Sequence, residues 1–439
     1  MEKFVITGGN KLHGSVRLGG AKNASFKLMI ASLLAPGETR LLNVPHINDV
    51  EVTRKIIQQL GGNVHSAGER MLCIDAASLK TSKINLKYGK LSRASTMFAG
   101  PLLARFRQAT LPLPGGDRIG ARPLDRHFAG LQALGAQVKS TGNLVHLTAN
   151  RLKGTTYQFA KSTHTGTETL IMAAVMAEGK TILENAALEP EIDDLIAFLN
   201  SMGAKIKRKL DRKIEIIGVS RIKPTIHRIM PDRNEAVSYA CAAIATQGDI
   251  VVEDANSDQL QAFLESLEDA NGGFEVGKFG IRFFYQGKLK ATKVTTQPHP
   301  GFMTDWQPLW AVLMTQAYGT SLIHETVHNQ RFQYVEDLNK MCAKKISFLN
   351  PKVSHPQDFY NFNLSEDQKS NYHALKIHGP TPLFAAKLRI SDIRAGATLV
   401  LASLIAQGKS EISGIDHIDR GYENLDGRLI DLGANIKRV

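Results

Sequence analysis

The chain has 439 residues, 43% of them apolar and 22% charged, which suits a soluble globular protein with room for two ordinary domains and excludes a disordered or fibrous one. Its 54 Lys and Arg outweigh 41 Asp and Glu for a net charge of +13, and the basic residues are scattered rather than run together, so the balance fits a small anionic partner better than nucleic acid. Cys73, Cys241 and Cys342 stand apart from one another without metal-ligand spacing, the start of the chain lacks a signal-peptide pattern, and the apolar runs are too short to span a bilayer. A reducing, cytoplasmic setting is expected.

Read in chain order, one pattern recurs. A long apolar helix is expected over Ala24 to Ala35, stopped by Gly37 and followed by a strand from Thr39 to Val44. A degenerate copy lies over Ser95 to Phe106 and lacks the Gly stop. The pattern returns over Thr167 to Glu178 with Gly179, Glu235 to Gln247 with Gly248, Asp305 to Tyr318 with Gly319, and Gly396 to Gln407 with Gly408. A second helix ends each unit, at Leu60-Gly61-Gly62, Leu134-Gly135-Ala136, Met202-Gly203-Ala204, Asn271-Gly272-Gly273, Met341-Cys342-Ala343 and Leu432-Gly433-Ala434. The stops recur at a spacing of about 70 residues or twice that, except that the last step is about 20 residues longer. The excess falls between Phe348 and Leu375, whose Pro and Asn content reads as an inserted surface loop or hairpin.

Six α/β units in a chain of this length suggest two lobes of three. Helices apolar all round belong in the middle, with strands outside. A single α/β solenoid is the competing arrangement, and strands this short argue against it.

Polar residues collect just before each long helix: Gly20-Ala21-Lys22-Asn23, Ser92-Arg93-Ala94-Ser95, Ser162 to Thr167, Pro231 to Glu235, Phe302 to Asp305, and Asp392 to Gly396. Helix N-termini offer free N–H groups and a partial positive charge, so these places suit anions. Three such ends converging in each of two facing lobes would make a phosphate trap. For any one residue the alternative is a cap or a solvated side chain. The Gly-rich string from Leu113 to Asp125 reads as a loop able to carry Asp117 over a ligand; it is neither a P-loop nor a dinucleotide fingerprint.

Gly20-Ala21-Lys22-Asn23, Arg93-Ala94-Ser95, Leu113 to Asp125, Glu189-Pro190-Glu191-Ile192, Met230 to Arg233, His299-Pro300, Thr304-Asp305, Asp392 to Ala395 and His417 to Tyr422, in this order over almost the whole chain, resemble the UDP-N-acetylglucosamine 1-carboxyvinyltransferases. The resemblance implies a two-lobed inside-out α/β barrel built from six repeats. One lobe would run from 21 to 229; the second would hold 1–20 and 230–439, with the insertion near 348–375. It implies transfer of the enolpyruvyl group of phosphoenolpyruvate to the 3-hydroxyl of UDP-N-acetylglucosamine, with release of phosphate, no metal or other cofactor, and no nucleic-acid or membrane partner.

By the same resemblance, Lys22, Asn23, Arg122 and Arg420 match positions that hold phosphoenolpyruvate, with Arg331 and Arg394 as further arginines of the site. Arg93, Arg122, Pro123, Leu124, Asp125, Ser162, Thr163, His164, Thr165, Asp305 and Val327 match positions that hold the nucleotide sugar. Asp117, Asp305 and Lys22 would be catalytic, Asp117 protonating C3 of the enol and Asp305 taking the proton of the sugar hydroxyl. The chain departs from the family pattern at Asp117, where cysteine is usual. It reads Asn329-Gln330-Arg331-Phe332 for Glu-Asn-Arg-Phe, and His164-Thr165-Gly166-Thr167-Glu168 where Val-Gly-Ala-Thr is usual. The rivals are a divergent or non-catalytic paralogue and the sister enzyme 3-phosphoshikimate 1-carboxyvinyltransferase, whose Gly-Asn-Ala-Gly-Thr motif is absent.

Overall fold

The six apolar segments fold as the helices Lys22–Ala31, Ala99–Phe106, His164–Ala174, Arg233–Ala245, Gln307–Thr315 and Ile393–Ile405. Every residue of Arg233–Ala245 and of Gln307–Thr315 is buried, which a helix achieves only when enclosed on all sides. The computed structural model describes residues 2–439 apart from 90, 114–123 and 343.

Several helices begin earlier than their apolar stripe, because the polar residues before the stripe are caps or first-turn residues. Asp232 accepts from the N–H groups of Asn234 and Glu235, so that helix starts at Arg233 instead of Glu235. Asp392 does the same for Arg394 and Ala395, and Thr163 accepts from the Gly166 N–H. The Asp305 segment differs the other way: its helix starts at Gln307, leaving Asp305 in the preceding turn. The copy without a Gly stop begins as a 3-10 turn, Arg93–Phe98, and ends on Arg107, which takes the left-handed conformation (φ 59°). Gly248 is not the left-handed residue of its stop; Gln247 is (φ 56°). Gly248 is needed for a close approach instead, since a Cβ there would lie 2.0 Å from the Leu12 carbonyl oxygen.

The chain divides into two compact units, one running up to Gly19 and resuming over Pro231–Val439, the other within Gly20–Met230. Each keeps three of the long helices inside a continuous apolar core and three sheets outside.

In the Gly20–Met230 unit one sheet runs Ile226–Arg228, Glu38–Leu42, Met71–Asp75, Asn63–Gly68. Another runs Lys205–Lys209, Lys213–Ile217, Lys180–Glu184, Thr156–Gln158, and a third Gln108–Pro112, Leu144–Thr148, Gln137–Thr141. In both four-stranded sheets a short edge strand joins in parallel and the other pairs are antiparallel. Alternation along Glu38–Leu42 sends Thr39 and Leu41 inward and leaves Glu38 and Arg40 outside.

In the other unit the N-terminal strand Lys3–Thr7 lies between Lys409–Ser413 and Asn435–Arg438. The inserted segment connects the antiparallel strands Ile346–Leu349 and Ala374–Gly379. It carries the short helix Pro356–Phe359 and buries Tyr360 and Phe362, each packed on the His373 ring at 5.1 Å. The insertion is therefore a hairpin whose long connection has its own small core.

Candidate active site

Within the Gly20–Met230 unit, Lys22 opens its helix with its Nζ 3.0 Å from the buried Asp49 carboxylate. Asn23 follows, half-buried. Arg93 opens the 3-10 turn, where Ser92 Oγ accepts from the Ala94 N–H at 3.2 Å. Leu124 is buried and Asp125, the first residue of the helix Asp125–Ala133, is exposed.

The stretch Ser162 to Thr165 is held from several sides. Arg126 donates to the Ser162 carbonyl at 3.3 Å and Arg212 to the Ser162 hydroxyl at 2.8 Å. Thr165 Oγ1 lies 2.9 Å from His127 Nε2. Burial, with Arg93 adding to it, pushes the His127 pKa down to about 3, so this ring is neutral. His164, the first helical residue, meets Lys27 and Glu168.

Within the other unit the turn before Gln307–Thr315 places Asp305 between two arginines. Arg331 Nη2 donates to Oδ1 at 2.9 Å and Arg394 Nη2 to Oδ2 at 3.1 Å. Side chains of Arg331 and Arg394 are 3% and 8% exposed, that of Asp305 22%. Burial works to raise the Asp305 pKa, but Arg394 and then Arg331 outweigh it and hold the carboxyl well below the usual carboxylate range. Asp305 is an ionised acceptor, not a proton donor.

Arg394 is fixed in turn: its Nη1 donates to Tyr422 Oη at 3.0 Å, and that hydroxyl lies 2.9 Å from Ser238 Oγ. Val327 and His328 donate backbone N–H groups to Glu325 Oε1 at 2.8 and 3.0 Å, and Thr304 Oγ1 donates to Oε2 at 2.9 Å. Burial raises the Glu325 pKa. The insertion reaches the same segment, with the Asn361 N–H donating to the Thr326 carbonyl at 2.7 Å and Asn329 Nδ2 to the Glu366 carbonyl at 3.2 Å. Arg420 is half-buried directly after the short helix Asp416–Asp419.

So Asp305, Arg331 and Arg394 form one cluster, and Ser162 to Thr165 another with its supporting side chains. Asp117, Arg122 and Pro123 lie outside the described residues. The sequence reading passed over Lys27, Arg126, His127, Arg212 and Glu325, and gave Glu168 and Tyr422 no role. Lys27 and Glu168 had a signal: each is a lone charge inside an apolar helix, and the two are opposite in sign. Among the described residues, Glu38, His65 and Cys73 also bring donor atoms within 4.8 Å of one another on three neighbouring strands. There Arg40 Nε donates to Glu38 at 2.9 Å and burial raises the Cys73 thiol, leaving a paired carboxylate beside a protonated thiol.

A family model described as EPSP synthase (3-phosphoshikimate 1-carboxyvinyltransferase) matches residues 6–429. The fold is shared with the enolpyruvyl transferase NikO from Streptomyces tendae, at a TM-score of 0.85 and 22% identity, covering 100% of this chain and 99% of that one. It is shared too with EPSP synthase from Acinetobacter baumannii, at 0.75 and 18%, covering 100% of each. The class is thus that of the enolpyruvyl transferases, with their inside-out α/β architecture of six repeats.

Within it, proteins named UDP-N-acetylglucosamine 1-carboxyvinyltransferase are much nearer in sequence. The one from Acidobacterium capsulatum is 40% identical over 100% of this chain and 96% of its own length. Those from Protochlamydia amoebophila and Halothermothrix orenii are 41% and 38% identical over 100% of this chain and 95% and 100% of theirs. The chain belongs to the UDP-N-acetylglucosamine 1-carboxyvinyltransferase family.

Proposed function

We propose that the chain transfers the enolpyruvyl group of phosphoenolpyruvate to the 3-hydroxyl of UDP-N-acetylglucosamine, releasing phosphate, as the first committed step of peptidoglycan precursor synthesis in the cytoplasm. The observation that carries this reading is identity of 38–41% along the entire chain with relatives of that name. Among the described residues no helix is long and apolar enough to cross a membrane.

The ionised Asp305 suits the base. Addition forms a bond from the sugar O3 to C2 of the enol, moves the O3 proton to Asp305 and delivers a proton to C3, the step assigned to Asp117. The tetrahedral adduct then loses a C3 proton and phosphate, which regenerates the enol ether. At rest Arg331 and Arg394 make Asp305 a weak base. An anionic substrate that shares these two guanidiniums relieves that hold and raises Asp305 basicity once it is bound. Lys22, Asn23, Arg122 and Arg420 are assigned to phosphoenolpyruvate. Arg93, Arg122 to Asp125, Ser162 to Thr165 and Val327 are assigned to the nucleotide sugar.

Phosphate release from phosphoenolpyruvate, measured with and without UDP-N-acetylglucosamine, tests the reading. Release that needs the nucleotide sugar is expected. Release with shikimate 3-phosphate instead, or none with either acceptor, would overturn it.

A further inference from the structure

Two helices of the Gly20–Met230 unit each carry one charge in a buried position: Lys27, 2% exposed, in Lys22–Ala31, and Glu168, fully buried, in His164–Ala174. Lys27 Nζ lies 2.7 Å from both Glu168 carboxylate oxygens and 2.8 Å from His164 Nε2. His164 Nε2 lies 3.2 Å from Glu168 Oε1. The three tips therefore meet at one point inside the unit, and the His164 side chain is 21% exposed.

The proton inventory fixes the chemistry. An ammonium has three hydrogens and no lone pair. A contact of 2.8 Å between Nζ and Nε2 is thus a hydrogen bond that Lys27 donates and Nε2 accepts, and a neutral imidazole accepting at Nε2 carries its hydrogen on Nδ1. If the ring gains a second proton, Nε2–H turns to Glu168 Oε1 and Nδ1 still keeps its hydrogen. Burial lowers the His164 pKa, but Glu168, aided by Glu189, outweighs burial and Lys27 and carries it above the ordinary histidine value. Nδ1 is a donor on either side of that titration.

A buried ion pair of this kind contributes little net stability compared with apolar residues of similar volume. Its consequence here is orientation. The ring it orients stands in the Ser162 to Thr165 stretch, where the chain departs from the family pattern.

We propose that Lys27 and Glu168 are positioning residues that clamp the Nε2 edge of His164 and so make its Nδ1–H a fixed hydrogen-bond donor to an acceptor oxygen of the nucleotide sugar. The identity of that ligand rests on the function proposed above; the clamp does not.

The clamp is read first, by nitrogen NMR of the full chain labelled at histidine. The neutral His164 ring should carry its proton on Nδ1. The double variant Lys27→Met/Glu168→Leu, which removes both buried charges together, should return the ring to the Nε2–H form that free histidine favours. A wild-type ring protonated on Nε2 alone would overturn the clamp.

The ligand is read by calorimetry and steady-state kinetics with UDP-N-acetylglucosamine. His164→Val should raise Kd and KM about tenfold, the loss of one good hydrogen bond, with kcat within about twofold. His164→Asn keeps an N–H at the δ position and should recover to within about threefold of wild type, whereas His164→Gln, with its N–H at the ε position, should not. The Lys27→Met/Glu168→Leu variant should resemble His164→Val, and adding His164→Val to it should cost nothing further. Unchanged affinity in His164→Val, or Asn no better than Val, would overturn the donor role. A wild-type chain that fails to bind the nucleotide sugar would overturn the functional reading together with this ligand, while the NMR result would still decide the clamp.

Discussion

Replacing Asp305 with Asn should separate what this carboxylate does for the fold from what it does for turnover. The substitution keeps size and shape but leaves Arg331 and Arg394, 3% and 8% exposed, without their shared counter-charge. Removing one partner of a buried ion pair costs about 3–5 kcal/mol. Arg394 would retain Tyr422 at 3.0 Å and Arg331 would retain Asp392 at 3.9 Å, and Asp305 is itself 22% exposed, so the lower end applies, about 3 kcal/mol. In a unit of this size that is a fall of roughly 6–12 °C in Tm.

The sign with pH follows from the depressed pKa. The folded value lies below the unfolded one near 4, so the advantage of wild type over Asp305→Asn should be complete above about pH 5 and shrink on acidification toward the folded value. Loss of a general base should lower kcat by about 10²–10⁴, while Kd for UDP-N-acetylglucosamine changes by less than about tenfold. Urea unfolding at several pH values, calorimetry and phosphate-release kinetics give the three readouts. A variant as stable as wild type at pH 7 would refute the electrostatic account, and one whose Kd rises as much as its kcat falls would refute the base.

Lys22→Met should lower kcat/KM for phosphoenolpyruvate by at least about 100-fold, with an unaltered near-ultraviolet circular dichroism spectrum separating this from unfolding. His127, with its pKa near 3, should show no imidazole titration by NMR from pH 5 to 8; because the unfolded ring gains a proton the folded ring refuses, wild-type stability should fall on acidification below about pH 6.5, and His127→Leu should lose less over the same range. Asp117 offers a carboxylate where cysteine is usual, and a carboxylate is a poor soft nucleophile, so epoxides of the fosfomycin type should leave the chain active. Asp117→Cys should then confer time-dependent inactivation with one adduct at residue 117, read by intact-protein mass spectrometry.

What the sequence made legible was whatever depends on local periodicity. The apolar stripes located all six long helices, and the recurring stops located the six units, because one helix and its following strand are specified by neighbours in the chain. Boundaries slipped where a side chain outside the stripe decided them. Asp232 and Asp392 pulled their helices upstream by capping, and Asp305 stayed out of its helix. Arg107 ended a helix that had no glycine stop, a choice its stripe does not encode.

The site was legible only in part, and for a related reason. Residues at helix starts announce themselves as a polar phrase before an apolar run, and family likeness then sorts them. Their supports do not, since each lies far away in the chain: Tyr422 beneath Arg394, His127 beside Thr165, Glu325 under the Val327 and His328 amides. Read along the chain, the departure at His164 to Glu168 is only a break in the family pattern. In the fold, Glu168 pairs with Lys27, a residue 141 positions away, and the pair holds His164. A buried acid in one segment is intelligible once the opposite charge that meets it from another segment is found, and finding it requires the helices to be packed side by side.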